Sequence, residues 1–290
     1  MAGRPKIDLN EKVKQLLAHS SESDHSSLAP ITNFEQRLNA CFGLIKYVDD
    51  HVTHGKFYQA IYDGHKSQLN LMTLGSIVEA FERYLKELAV ICVDTIAPYV
   101  FDNRFDVFSP TGGNLAAQFL SGSIGRVMCE SDTWLSNESV NKRFGQILKS
   151  HFSSNPWAQL FPDAKQTSRP EPERTRANTL AILWQIRHSI THNTGVLTLS
   201  DARKLTLMSQ TVVAGDRQLD PNRHDLTYVK RFLQETSRYV NGKVALRLGE
   251  LLTERLQHDP SLIEDIQELA DRVSNQIQQA IVVDGKTGTV

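Results

Sequence analysis

The residues best equipped for chemistry lie in one short run, Trp184-Gln185-Ile186-Arg187-His188-Ser189-Ile190-Thr191-His192-Asn193-Thr194-Gly195. An imidazole changes charge near neutral pH, so His192 suits proton transfer. Arg187 carries a permanent charge on a planar fork that matches a pair of phosphate oxygens. Thr191 and Asn193 flank His192 and can orient it or donate to an anion. His188, one turn earlier, is a second proton-transfer group. The bland alternative gives Arg187 a carboxylate partner and makes His192 a helix cap. At roughly 100° per residue, Arg187 and His192 point about 140° apart on a regular helix. One copy therefore splays the pair unless the helix ends between them. Two copies related by a two-fold axis would converge four such groups.

Other arrangements offer less. His188 and His192 have the i,i+4 spacing of a zinc-protease helix, but Ser189 stands where that motif needs its general-base Glu. Asp49-Asp50-His51-Val52-Thr53-His54 could ligate a metal, or could simply end a helix, where the dipole favours His. No phosphate loop, dinucleotide fingerprint or hydrolase elbow occurs. No metal and no cofactor is therefore expected. A second Arg-to-His spacing, Arg217 to His224, falls in the turn-rich stretch around Gly215-Asp216 and Asp220-Pro221-Asn222, and reads as coincidence.

The elements that must position these groups are helices. Thr32-Asn33-Phe34-Glu35 has capping-box spacing, and Phe34, Leu38, Cys41, Leu44, Ile45 and Val48 follow at helical intervals. Leu69 to Ala97 repeats Leu71, Leu74, Val78, Phe81, Leu85 and Leu88, and Pro98 stops it. Gly112-Gly113-Asn114 and Gly122-Ser123 punctuate shorter pieces, and Asn137–Phe152 reads as an amphipathic helix. After a polar loop, 153–173, a helix restarts near Pro172, carries Ala177, Leu180, Leu183, Trp184, Ile186 and Ile190, and ends near Gly195. Ser200-Asp201 is expected to cap a short helix over 201–209, Asp225 a longer one over about 226–256, and Asp259-Pro260-Ser261 to open a last one reaching about Ala280. Val196–Leu199 and Val212-Val213 are short extended candidates. The class is all-α, a multi-helix bundle. Residues 1–28 read as a polar tail and 29–284 as one helical domain with C-terminal helices.

Composition narrows the function classes. Among 290 residues, 32 Lys+Arg nearly balance 33 Asp+Glu, which excludes a polybasic mode of nucleic-acid binding but not a local basic site. No apolar run approaches the roughly 20 residues of a membrane span, and no signal-peptide core is visible. Three widely spaced cysteines, Cys41, Cys92 and Cys129, make neither a disulfide framework nor a metal knuckle, so a cytoplasmic setting is expected. Trp134, Trp157 and Trp184 read as core or interface residues.

The helix ending in Arg187 and His192, with four residues between them, resembles the HEPN superfamily, whose signature is Arg, four to six residues, then His. The upstream helix Ser76–Leu88, mixed acidic and basic, and the segment from Leu197 to Phe232 are also similar to that family, so the likeness spans roughly 69–240. In the family a polar residue, commonly Asn, follows the Arg; this chain has His188 there. The resemblance implies a HEPN-type bundle, a homodimer with the motif in the shared cleft, and metal-independent endoribonuclease activity on RNA. It also implies a toxin or antiphage-defence role with a neutralising or regulatory protein partner, and no membrane. Such cleavage needs a base for the 2′-OH, an acid for the leaving 5′-oxygen and a cation for the phosphorane. Arg187 and His192 would be the catalytic pair, with His188, Thr191 and Asn193 supporting. Two competing readings are a non-catalytic HEPN-like dimer binding nucleotide, RNA or a protein partner, and an interaction scaffold built on helices 226–280.

Overall fold

The computed structural model describes residues 30–51, 59–97, 103–108, 123–130, 134–153, 155–157, 160–162 and 168–258. The tail 1–28, Gly112-Gly113-Asn114, His54 and the expected last helix from Asp259 lie outside the described residues. Within them the chain is all-α: α1 (Pro30–His51), α2 (Gln59–Ile96), a 3₁₀ turn (Asn103–Val107), α3 (Ile124–Glu130), α4 (Asn137–Ile147), α5 (Glu171–His192), α6 (Leu199–Ser209) and α7 (Arg223–His258). Two two-residue strands, β1 (Val196–Leu197) and β2 (Arg217–Gln218), pair antiparallel with Val196 opposite Gln218. Among the described residues no helix is long and apolar enough to cross a membrane.

The organising element is α2. Its apolar residues recur on more than one face, so it buries against several neighbours at once. Against α1 it packs Phe81 edge-on and Tyr84 at a tilt against Phe34, with ring centroids 5.7 and 5.6 Å apart. Against α7 it sends the buried Tyr84 hydroxyl, which donates to the Ser237 carbonyl at 2.8 Å. Against α5 it presents Phe81 to Trp184, centroids 5.9 Å apart, and the small Gly75, where a Cβ would lie 3.4 Å from Ile190 Cγ2. Trp134 and Trp184 are buried in the core, and Trp157 packs at its edge. Cys92 and Cys129 are buried, and burial pushes the Cys92 thiol up to about 12.

The tightest approach is between α2 and α3. A Cβ on Gly125 would stand 2.5 Å from the Val90 carbonyl oxygen and 2.8 Å from its Cα. Asp94 holds the same junction, accepting the Gly125 amide at 2.6 Å and the Ser123 hydroxyl at 2.7 Å. Backbone atoms inside a helix cannot turn aside as a side-chain tip can. Gly125→Ala is therefore expected to cost about 3 kcal/mol, the upper part of the range for overpacking. A urea-melt midpoint within experimental error of the parent would show that the two helices do not meet there.

Several boundaries differ from the sequence expectation. α1 starts at Pro30, so Thr32 lies inside the helix rather than capping it. Pro suits a first helical turn because its missing N–H has no partner there anyway. α2 begins at Gln59, ten residues before the predicted Leu69. Its polar first turns are tied down from outside, by Lys66 to Asp49 at 2.7 Å and Ser67 to Asp220 at 2.6 Å. α4 ends at Ile147, not at Phe152. Beyond it Lys149 reaches Asn103 at 2.5 Å, and Ser150 donates to Glu254 at 2.8 Å, so side-chain anchors replace helical hydrogen bonds. α6 is capped by Thr198, not by Ser200-Asp201, and α7 starts at Arg223, with Asn222 accepting the Asp225 amide. Of the two extended candidates, Val196–Leu197 forms β1 and Val212-Val213 forms no strand; β1 pairs with Arg217–Gln218, so Arg217 sits on a strand.

Candidate active site

α5 forms for reasons visible in its composition. Pro170 precedes it, Pro172 sits in its first turn, and Glu171 and Glu173 complement the positive end of the dipole. Its first half buries Ala177, Leu180, Leu183 and Trp184. Asn137 fixes that half to α4: its side-chain amide donates to the Ala177 carbonyl at 2.7 Å, and its oxygen accepts the Trp184 indole N–H at 3.2 Å.

In the second half the inward stripe turns polar. Gln185, Ser189 and Asn193, spaced by four, all converge on Asp201 of α6. The Gln185 amide donates to Oδ1 at 2.9 Å; the Ser189 hydroxyl and the Asn193 amide donate to Oδ2 at 3.2 and 2.9 Å. Thr198 adds its hydroxyl at 2.9 Å and, as the N-cap of α6, accepts the Asp201 amide at 3.2 Å. Asp201 is 3% exposed. Burial pushes its carboxyl up, but the Thr198 and Ser189 hydrogen bonds and the charges of His188 and Lys204 outweigh this and hold it below the ordinary Asp range.

α5 then ends in two left-handed residues, Thr194 (φ 51°) and Gly195 (φ 84°). Both the Asn193 and Gly195 amides return to the Ser189 carbonyl, at 3.0 and 3.1 Å. Gly195 is required twice over: the φ suits only glycine, and a Cβ there would come within 2.3 Å of the buried Leu71 side chain.

The predicted site residues divide around this helix. α5 is continuous through His192, so Arg187 and His192 are not brought together by a helix end. Arg187 leans onto α2, where its Nη2 meets Glu79 Oε1 at 3.3 Å; the Arg187 side chain is 15% exposed and that of Glu79 54%. Its Nε is buried and, among the described residues, has no hydrogen-bond partner. His188 and His192 are both exposed, with ring centroids 4.6 Å apart and planes tilted by 46°. Among the described residues neither imidazole has a hydrogen-bond partner. Thr191 is exposed beside them. Asn193 spends its amide on Asp201 rather than on His192. A cleft of about 260 Å³ opens on the His188 side, lined by Trp184, Gln185, His188 and Lys204 among others.

The other sequence candidates are occupied structurally. Asp49 pairs with Lys66 at 2.7 Å and Arg223 at 3.3 Å. His51 Nδ1–H bonds back to the Tyr47 carbonyl at 3.1 Å, and its ring stacks on Tyr47 at 4.5 Å, as a helix-terminal His does. Among the described residues no group of three or more His, Cys, Asp or Glu side chains is placed to hold a metal ion. Arg217 and His224 are both exposed, one on β2 and one in the first turn of α7.

Two participants escaped the sequence reading. Glu79 was one charge among several on the outer faces of α2. Asp201 looked like a cap alone, although the spacing of Gln185, Ser189 and Asn193 marks a polar stripe aimed at one buried acceptor. The chain matches no family model, no curated protein and no solved structure.

Proposed function

We propose that the chain is a metal-independent endoribonuclease of HEPN type. The observation that carries this reading is the exposed imidazole pair His188–His192, 4.6 Å apart and free of hydrogen-bond partners among the described residues, with Arg187 adjacent on the same helix. His192 removes the proton of a ribose 2′-OH, the freed oxygen attacks phosphorus, and the 5′-oxygen departs with a proton supplied by a second imidazole. The products are a 2′,3′-cyclic phosphate and a 5′-OH end. Arg187 stabilises the crowded phosphorane with its fork. Its present partner, Glu79, is half in water, where an ion pair contributes little, so a phosphate can replace it. Because Arg187 and His192 diverge around a continuous helix, a homodimer with α5 at the two-fold axis completes the constellation. By its resemblance, the protein acts as a toxin or antiphage-defence effector with a neutralising partner.

A second reading has one observation in its favour. The Arg187–Glu79 pair ties α5 to α2, which is what a non-catalytic dimer binding nucleotide, RNA or a protein partner would retain. Incubating the purified chain with total RNA in EDTA, beside His192→Ala, separates the two. Cleavage that persists under chelation, leaves cyclic phosphate ends and vanishes in the variant is the expected result. Cleavage lost on chelation and restored by Mg²⁺ or Zn²⁺ would place the chemistry elsewhere, and no cleavage at all would favour the binding module.

A further inference from the structure

We propose that His188 and His192 together form a chelating site for a borderline divalent transition-metal ion such as Zn²⁺ or Cu²⁺, and that the bound ion silences the chain by occupying His192. The binding half stands on geometry alone; the silencing half rests on the nuclease reading above.

Residues four apart share one helix face, one turn above the other. Here the two ring centroids lie 4.6 Å apart, with the planes tilted by 46°. A tetrahedral ion with Zn–N bonds of ~2.0–2.1 Å requires its two nitrogens about 3.3 Å apart. Rings at this separation reach that spacing by rotation about their own side-chain bonds, with the helix unchanged. Neither ring must first break a hydrogen bond among the described residues, and both are exposed, so an ion has an open path. Imidazole is a ligand that suits Zn²⁺ and Cu²⁺ in preference to Mg²⁺ or Ca²⁺.

The surroundings set the strength. The buried carboxylate of Asp201 interacts electrostatically with His188, an attraction that also suits a bound cation. Lys204 lines the cleft beside His188 and opposes it. Asp201 itself is committed to Gln185, Ser189, Asn193 and Thr198 and does not ligate. The protein thus supplies two ligands, fewer than the three or four of catalytic and structural zinc sites. The remaining positions are left to water. Such a site fills and empties with the supply of metal, which is the behaviour of a regulator rather than of a resident cofactor. It also removes His192 from proton transfer, because a metallated nitrogen cannot accept a proton.

The test uses the full chain with any purification tag removed. Zn²⁺ is titrated calorimetrically into the parent, His188→Asn, His192→Asn and His51→Asn. Losing an outer-shell partner of a metal ligand already costs ~10–100-fold in affinity, so removing a ligand should cost at least tenfold. The strongest binding event should weaken by that factor in His188→Asn and in His192→Asn, and stay unchanged in His51→Asn. Cu²⁺ electron paramagnetic resonance should show two coupled nitrogens in the parent and one in each of the first two variants. Equal Zn²⁺ affinity in the parent and both variants overturns the site. In a cleavage assay each protein is compared with its own metal-free rate; Zn²⁺ should suppress the parent and suppress His188→Asn less. Zn²⁺ that binds the pair yet leaves the parental rate intact overturns the silencing. A chain that cleaves no RNA under any condition overturns the nuclease reading and the silencing that rests on it, while the calorimetry still decides the site.

Discussion

Replacing His192 by alanine is expected to cut RNA cleavage by roughly 10²–10⁴-fold, the usual contribution of a positioned proton-transfer group. Arg187→Ala should lose a similar ~10²–10³-fold, as when a donor to a developing oxyanion is removed. Arg187→Lys should fail as well, since an ammonium cannot make the bidentate fork. The two alanine variants differ in a second readout. His192 is exposed and unbonded among the described residues, so its loss should leave the melting curve unmoved. Arg187 contacts Glu79 from a largely buried position, so its loss should lower stability slightly. Arg217→Ala and His224→Ala, on β2 and at the start of α7, should retain parental cleavage. The measurement is initial rate on one RNA at saturating and limiting concentration. If His224→Ala silences cleavage and His192→Ala spares it, the choice between the two Arg-to-His spacings was mistaken.

The largest effect on stability should come from Asp201→Ala. The change removes the common acceptor of four side chains. A buried donor left unsatisfied costs about 1–3 kcal/mol. Ser189 keeps the Gln185 carbonyl at 3.2 Å, and Asn193 lies near enough to the surface to find water, so the costs do not simply add. A total of roughly 3–5 kcal/mol is expected, comparable with breaking a buried charge network. Asp201→Asn should recover part of the loss, because its carbonyl oxygen can still accept from Ser189, Asn193 and Thr198 while its NH2 faces Gln185. The acid limb carries the sign. A carboxyl held below its unfolded value stabilises the fold above that unfolded value, near ~3.9 for Asp, and the contribution disappears as pH falls through the folded value. Glu173 and Glu254 behave the same way. Burial raises each, and hydrogen bonds from Lys243 and Tyr239 to Glu173, and from Ser150 and Arg247 to Glu254, more than reverse it. Urea melts between neutral and strongly acid pH should therefore show a steep loss in the parent and a shallower one in Asp201→Ala. Parallel curves would show that Asp201 carries no charge of consequence in the fold.

The sequence was most readable where one residue type decides the local structure. Pro172, the apolar stripe from Ala177 to Trp184 and Gly195 placed α5 to within a residue or two at its start. It was least readable where partners distant in sequence decide. The first turns of α2 have little helical pattern and depend on Asp49 and Asp220. The end of α4 has a helical pattern, yet Asn103 and Glu254 draw its residues away. The motif residues were visible as types and spacing. What no spacing could give was their division: Arg187 turned to Glu79, the two imidazoles turned outward, and Asn193 turned inward to Asp201. Those directions follow from which face of α5 meets α2 and which meets α6.

The hydrogen bond from Tyr84 to the carbonyl of Ser237 joins residues 153 positions apart. Arg238 to Glu35 and Lys230 to Asn39 span still more of the chain, and all three bind the final described helix to the first two. During synthesis from the N-terminus, α2 and the helix bearing Arg187 and His192 therefore emerge well before α7 can cover them. Until then the Tyr84 hydroxyl has only water as acceptor, and Leu233, Val240 and Val244 have not yet closed the core. The covering of α2 by α7 is thus completed last, so a polypeptide released early would carry every residue of the motif, with Glu79 and Asp201 to direct them, on a core still open along α2.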